Sequence, residues 1–187
     1  MFLGIESGCD SQLKRYFKNS SRKINRAALK RADTLGISID IGFIMFDIKM
    51  TVDELEENIK FIEECELVKY GSNFIKKLRI QPFSKFENEY HAITYLKFDE
   101  NNLEYIYEFD DKRIEQIYRM YTNIDFKKTY LIQNAYRGEV KTKENKEQYK
   151  EKLVLFRKIQ FECLKQIYRH VICNSKLNID DLLQKIE

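Results

Sequence analysis

Residues 36–47 read GISIDIGFIMFD, and this stretch decides the fold class. Ile and Phe dominate it, at the density expected of a strand buried on both faces, as in a parallel sheet. A strand is therefore predicted from Ile37 to Phe46. Upstream, Phe2 to Glu6 reads as a short strand ending in Ser7 and Gly8. Asp10 and Ser11 can cap a helical stretch reaching Phe17, and Ser20 or Ser21 starts a stronger helix. In that helix Ile24, Ala27, Ala28, Arg31 and Leu35 recur at three-to-four spacing, with Gly36 at the C′ position. Downstream, Thr51-Val52-Asp53-Glu54 forms a capping box, and Val52, Leu55, Ile59 and Ile62 mark one apolar helix face. Phe74 to Ile80 is a predicted third strand. The order strand, helix, strand, helix, strand corresponds to two successive parallel crossover units.

The chain changes character near its single proline, Pro82: five of its six glycines lie in the first 71 residues. Beyond Pro82 the sequence predicts a hairpin, Ala92 to Phe98 and Leu103 to Phe109, joined across Asp99-Glu100-Asn101-Asn102. Helices are then expected from Asp111 (stripe Ile114, Ile117, Tyr118, Tyr121), from Phe126 to Tyr136, from Glu147 to Cys173 and from Ile179 to Ile186. The long one should bury some of Leu153, Phe156, Ile159, Cys163, Leu164, Ile167 and Val171.

Composition removes several function classes. With 33 Lys plus Arg against 30 Asp plus Glu, the net charge of +3 selects no polyanionic ligand. Late basic-aromatic runs such as Tyr118-Arg119-Met120-Tyr121 suit amphipathic helices better than a nucleic-acid surface. A mean hydropathy of −0.55 without a long uncharged apolar run argues against a membrane span. MFLGIESGCD has neither a basic region nor a sustained apolar core, so a cytoplasmic location is expected. Cys9, Cys65, Cys163 and Cys173 are far apart, with no C-x2-C or C-x3-C pair to begin a metal site. They read as buried or half-buried small side chains. His91 and His170 have no partner at metal-ligand spacing and read as packing or solvent residues.

Candidate chemistry concentrates at the C-terminal ends of the first two strands, where loop amides and helix N-termini converge in a parallel sheet. Glu6 could accept hydrogen bonds from an amine or a ribose diol, and Ser7 with the Gly8 backbone could approach a ligand. A polar connection capping the next helix is the alternative. Gly42 to Phe46 offers backbone and an apolar flank for a flat ring, or is simply core.

The ordered set FLGIESGCDSQLKRYFKNSS at 2–21 and RAALKRADTLGISIDIGFIMFDIKMTVDELEENIKFIEE at 26–64 resembles the central and later part of a radical S-adenosylmethionine enzyme barrel, in particular the subgroup often found with a cobalamin-binding domain. The pieces carrying the resemblance are ESG, a basic helix, a glycine before the strand, GFI and TVDEL. The resemblance implies an α/β fold: a partial TIM-barrel-like parallel sheet with crossover helices over residues 1–82, followed by a hairpin and a mainly helical C-terminal extension over 83–187. It places Glu6 and Ser7 on a strand like the fourth of the barrel, beside the ribose and amino-acid part of the cofactor. It sets Lys18 near the cofactor carboxylate and aligns Gly42, Ile44 and Phe46 with the G-x-I-x-G region associated with adenine. Phe46 stands where that motif has its second glycine, and Lys49 where it has an acidic residue.

Family enzymes hold a four-iron, four-sulfur cluster through C-x3-C-x2-C near the first strand, and reductive cleavage of S-adenosylmethionine there yields a 5′-deoxyadenosyl radical. This sequence has no such motif, and its first strand resembles the fourth. The resemblance therefore implies no catalytic and no metal-binding residue here. It implies S-adenosylmethionine binding only with a complementing half. The first expectation is a C-terminal fragment or subunit of a radical S-adenosylmethionine enzyme, unable to perform radical chemistry alone. The second is a noncatalytic interaction or regulatory module derived from that scaffold. An open parallel sheet edge calls for a cover: a separate N-terminal half, a homodimer partner, or the aromatic C-terminal half folding back.

Overall fold

The computed structural model describes residues 1–70, 74–91, 96–124 and 143–183. Two parallel strands, β1 (Phe2–Glu6) and β2 (Asp40–Phe43), form the sheet that residues 36–47 announced. Their register pairs Phe2 with Asp40, Leu3 with Ile41, Gly4 with Gly42 and Glu6 with Phe43, the slip between Gly4 and Glu6 marking a bulge. β2 is shorter than the predicted Ile37 to Phe46. Beyond Phe43 the chain turns so that the amides of Met45 and Phe46 both reach the Lys76 carbonyl, at 3.0 and 3.2 Å. The predicted third strand is likewise reduced to isolated bridges, Lys77 running parallel to Phe46 and Ile80 antiparallel to Tyr105.

Between the strands lie α1 (Asp10–Arg15) and α2 (Arg22–Thr34). Neither Asp10 nor Ser11 caps α1. Cys9 occupies the N-cap without a side-chain capping bond, while Asp10 accepts from the Arg22 amide and Ser11 donates to Glu54. Ser21 caps α2, accepting from the Ile24 amide at 3.3 Å, and Gly36 follows with φ +62°, a left-handed value that glycine adopts without strain. α3 (Val52–Glu64) opens with the expected reciprocal box: Thr51 Oγ1 accepts from the Glu54 amide at 3.2 Å and Glu54 Oε2 from the Thr51 amide at 3.1 Å. Val52, Leu55, Ile59 and Ile62 are buried as their spacing predicted. A single 3-10 turn, Leu67–Tyr70, follows α3.

The second part contains α4 (Lys85–His91), which periodicity had not indicated, and a hairpin of β3 (Lys97–Asp99) and β4 (Glu104–Ile106), shorter than predicted but joined as expected. Asp99 closes its turn by accepting from the Asn101 amide and from Asn102 Nδ2. α5 (Lys112–Thr122) is capped by Asp111. α6 runs from Lys143 to Cys173, and α7 is the short Asp180–Leu183. The helix predicted at 126–136 lies outside the described residues, as do 92–95 of the hairpin and 184–187 of the last helix. On α6, Leu153, Phe156, Ile159, Cys163, Leu164 and Ile167 are buried and Val171 is half-buried.

One apolar core joins the two parts. Phe46 meets Phe109 and Tyr118 edge-on at 6.3 and 5.2 Å, Phe74 meets Phe161 at 5.7 Å, and Lys165 pairs with Glu63 at 2.7 Å. The hydroxyl of buried Tyr107 donates to the Leu78 carbonyl at 2.7 Å. Among the described residues no strand pairs with the outer edge of β1. None of the described helices is long and apolar enough to cross a membrane.

Candidate functional site

The two faces of the β1–β2 pair differ in kind. Ile5, Ile41 and Phe43 are buried in the helix-covered core. The opposite face carries glycines in register, Gly4 beside Gly42. Glu6 lies over them because its backbone is left-handed, φ +60°, a conformation costing a non-glycine residue about 1–2 kcal/mol. The bulge and the turned backbone fold its carboxylate back across the sheet, so that a Cβ at Gly4 would meet Glu6 Oε1 at 2.8 Å and one at Gly42 would come within 3.6 Å of Oε2. Lys18 Nζ reaches Glu6 Oε1 at 3.1 Å. Side chains at Gly4 or Gly42 would collide with Glu6 or with Phe2, which lies over Gly42. Glycine here is what lets a carboxylate, an ammonium group and a flat backbone surface share one face.

Ile44 is half-buried next to this face, its amide donating to the Glu6 carbonyl at 2.8 Å. Of the six candidate site residues, the structure thus brings Glu6, Lys18, Gly42 and Ile44 together. Ser7 and Phe46 sit behind them. Phe46 is in the aromatic core already described. Ser7 is fully buried, its hydroxyl accepting from the Cys9 amide at 2.9 Å and lying 2.8 and 2.9 Å from Gln12 Oε1 and Asn58 Oδ1.

Ser7 opens a buried polar network most of whose other members the sequence did not single out. Asn25 on α2 donates to the carbonyls of Ile5 and Ser7, at 2.9 and 3.1 Å. Asn58 on α3 accepts from the Gly8 amide at 2.8 Å and donates to Gln12 Oε1 at 2.6 Å. Gln12 on α1 and Tyr16 at its C-terminal cap both donate to Asp47 Oδ2, at 2.8 and 2.7 Å. Arg15 donates from Nη2 to Asp47 at 2.9 Å and grips both Glu54 oxygens, at 3.0 and 2.8 Å. The network therefore ties the strand-to-helix turn at Ser7–Cys9 to α1, α2 and α3 and to Asp47, four residues beyond β2. One signal was available beforehand: Asn58 interrupts the apolar stripe of Leu55, Ile59 and Ile62, and a polar residue in such a stripe needs buried partners.

The charges follow this geometry. Burial alone would lower the Arg15 pKa, but hydrogen bonds to Glu54 and the charge of Asp47 outweigh it and raise the value. Burial would raise the Glu54 pKa, yet hydrogen bonds from Arg15, Ser11 and the Thr51 amide lower it. The Tyr16 phenol is pushed well up by burial and by Asp47. All three groups hold one charge state across neutral pH, as a structural clamp requires.

The cysteines are separate. Cys9 and Cys163 are buried and Cys65 is half-buried, as expected, but Cys173 is exposed. Among the described residues no group of three or more His, Cys, Asp and Glu side chains could hold a metal ion. His170 uses Nδ1 against the Ser175 carbonyl at 2.7 Å, a packing role. The His91 side chain lies outside the described residues.

No protein-family model matches the sequence. A 4′-phospho-dehydrooxetanocin synthase of Priestia megaterium is 46% identical over 67 residues, 35% of this chain and 9% of that protein. Among solved structures, the cobalamin-dependent S-adenosylmethionine radical enzyme OxsB with aqua-cobalamin bound matches with a TM-score of 0.76 at 23% identity, covering 98% of this chain and 32% of its own. OxsB with aqua-cobalamin and S-adenosylmethionine bound gives a TM-score of 0.75 at 22% identity, with 98% and 31% covered. The chain spans about a third of those solved relatives, and its likeness to part of such an enzyme, first seen in the order of its motifs, extends through the C-terminal half. This chain therefore has the fold of one part of a cobalamin-dependent radical S-adenosylmethionine enzyme.

Proposed function

We propose that the chain is the C-terminal fragment or subunit of a radical S-adenosylmethionine enzyme, with residues 1–82 a partial TIM-barrel-like segment, and that it contributes one wall of the cofactor site but no radical chemistry by itself. The observation carrying this reading is the glycine face of β1 and β2, crossed by the Glu6 carboxylate and flanked by Lys18. Its chemistry fits S-adenosylmethionine. Glu6 would accept from the methionyl ammonium or the ribose diol, Lys18 would hold the carboxylate, and Gly42 with Ile44 would bound the adenine. Ser7 and Phe46 would act from behind, fixing the turn and the strand end. The cluster, which supplies the electron for cofactor cleavage, would be held by the complementing half.

The test is anaerobic reconstitution. The isolated chain should retain no iron-sulfur cluster and form no 5′-deoxyadenosine. Recovery of about four irons and four sulfides per chain, with 5′-deoxyadenosine formed, would overturn the reading. With the complementing half of OxsB supplied, S-adenosylmethionine should bind, and Glu6→Gln or Lys18→Met should each weaken it about tenfold, the loss of one charge-assisted hydrogen bond. A second reading is a noncatalytic interaction module, favoured by the Glu6–Lys18 pair satisfying itself at 3.1 Å. It predicts no S-adenosylmethionine binding in any assembly.

A further inference from the structure

We infer that Phe17, Phe83 and the Lys85 ammonium group form a subsite beside the candidate cofactor wall, for a ligand that joins a flat aromatic ring to an anionic group. This names the second ligand of the site proposed above and rests on that reading for its role, although its binding is measured separately.

Both phenylalanines stand where glycine would be easier to hold. At the end of α1 the Phe17 amide donates to the Lys14 carbonyl at 3.0 Å and the Lys18 amide to the Leu13 carbonyl at 2.9 Å, with Phe17 at φ +56°. That pair of bonds is the helix ending whose left-handed residue is ordinarily glycine. Phe17 is nevertheless kept, with 49% of its surface exposed. Phe83 repeats the pattern at φ +64° and is 97% exposed. Pro82 precedes it and Glu87 of α4 accepts from its amide, so the backbone that displays the ring is fixed. Glycine would relieve both positions, and the Phe83 ring contributes no burial in exchange. Strain kept without packing marks a residue that serves something other than the fold.

The two rings lie at the end of the sheet that carries Glu6. β1 runs into α1 there, and the segment containing Lys77, parallel to Phe46, leaves the sheet at the same end toward Pro82. α4 then returns to α1. Lys85 Nζ lies 5.0 Å from the centroid of the Phe17 ring, and the Phe86 ring lies 5.7 Å from it. Lys18, next to Phe17, is the residue that pairs with Glu6 over the glycine face. Phe83, bare on both faces, offers a stacking surface, and Phe17 a second apolar wall. Among the described residues no carboxylate pairs with Lys85, whose contact is the Phe17 ring. An ammonium group held over a ring keeps its charge for an incoming anion and repels a cationic ligand. The ring and the charge together select the ligand class.

The experiment titrates the 187-residue chain by calorimetry with 1-naphthyl phosphate, and separately with 1-naphthol and with inorganic phosphate. Saturable binding of naphthyl phosphate is expected, with each half alone at least about tenfold weaker. Phe83→Gly should weaken it about tenfold while the chain melts no lower than wild type, whereas a purely structural Phe83 would lower the melting temperature and leave binding intact. Lys85→Met should weaken naphthyl phosphate about tenfold and leave naphthol unchanged; it still reads the subsite if the first variant misfolds. Leu155→Ser, at an exposed position on α6, should change neither binding nor its selectivity. No saturable binding, equal binding of phosphate or naphthol alone, or normal binding by the Phe83 or Lys85 variant would overturn the inference. In the complemented protein, naphthyl phosphate held without S-adenosylmethionine would refute the cofactor reading and leave the subsite standing, and the reverse result would remove the subsite alone.

Discussion

Arg15→Met removes the cation on which the buried network turns. Arg15 makes three hydrogen bonds to two carboxylates, of which Asp47 is fully buried and Glu54 nearly so. Breaking a buried ion pair from one side costs about 3–5 kcal/mol, because a desolvated charge is left behind. Two features reduce that figure. The Arg15 side chain is 19% exposed, and Asp47 keeps its bonds from Gln12, Tyr16 and the Lys49 amide. An expected loss of about 3 kcal/mol lowers the melting temperature of a chain this size by about 6–12 °C. Urea denaturation of wild type and variant measures it directly. Adding Glu54→Gln to Arg15→Met should recover part of the loss, since the remaining penalty comes from an unpaired carboxylate. A cost below about 1 kcal/mol, or a double variant weaker than the single by the full cost of Glu54→Gln alone, would show that water rather than Arg15 solvates these carboxylates.

Glu54 also sets an acid limb. Its pKa in the folded chain is lowered, so its contribution is complete above the unfolded value and disappears as pH falls through the folded one; Glu54→Gln should flatten the loss of stability in acid, measured as urea midpoint against pH. Gly8→Ala would drive a Cβ to within 2.2–2.6 Å of the Phe61 side chain. It should destabilise by at least about 1–3 kcal/mol in the same assay, and a neutral result would mean that α3 moves freely over the turn. Glu6→Gly relieves a left-handed backbone at the loss of an exposed ion pair. Its stability should stay level or rise by up to about 1 kcal/mol while S-adenosylmethionine binding by the complemented protein falls. Tyr107→Phe should cost about 1 kcal/mol by freeing the buried Leu78 carbonyl.

Local features were legible in proportion to how locally they are satisfied. The Thr51–Glu54 box, the Ser21 cap and the Gly36 terminus involve residues within four positions of one another, and all formed where the sequence put them. The segment at 74–80 carried strand-like residues, but each neighbour meets it at a single bridge only, and how long two segments run side by side is set by the tertiary path rather than by residue type. The glycine face was half visible: Gly42 and Glu6 stood out, whereas Gly4 acquires its role only through the register with Gly42. Asn25, Asn58 and Asp47 join Ser7 and Gln12 across separations of 18 to 51 residues, from the bond of Asn25 to Ser7 to the contact of Ser7 with Asn58, beyond the reach of any periodicity.

By itself the sequence determined the parallel crossover from β1 to β2, the caps of α2 and α3, the apolar face of α3 and the likeness to part of a radical S-adenosylmethionine enzyme, because each depends on residue type at short, fixed spacing. Only the tertiary structure decided which stripe of α2 faces inward. Periodicity shows that a helix has an apolar side without saying what that side meets, and α2 turns Asn25 toward the sheet while Ile24 and Leu35 remain outside. The same holds for Glu6. Its residue type suggested a polar strand end, but the bulge and left-handed backbone laid its carboxylate over two glycines, a placement set by register between strands that lie far apart in the chain.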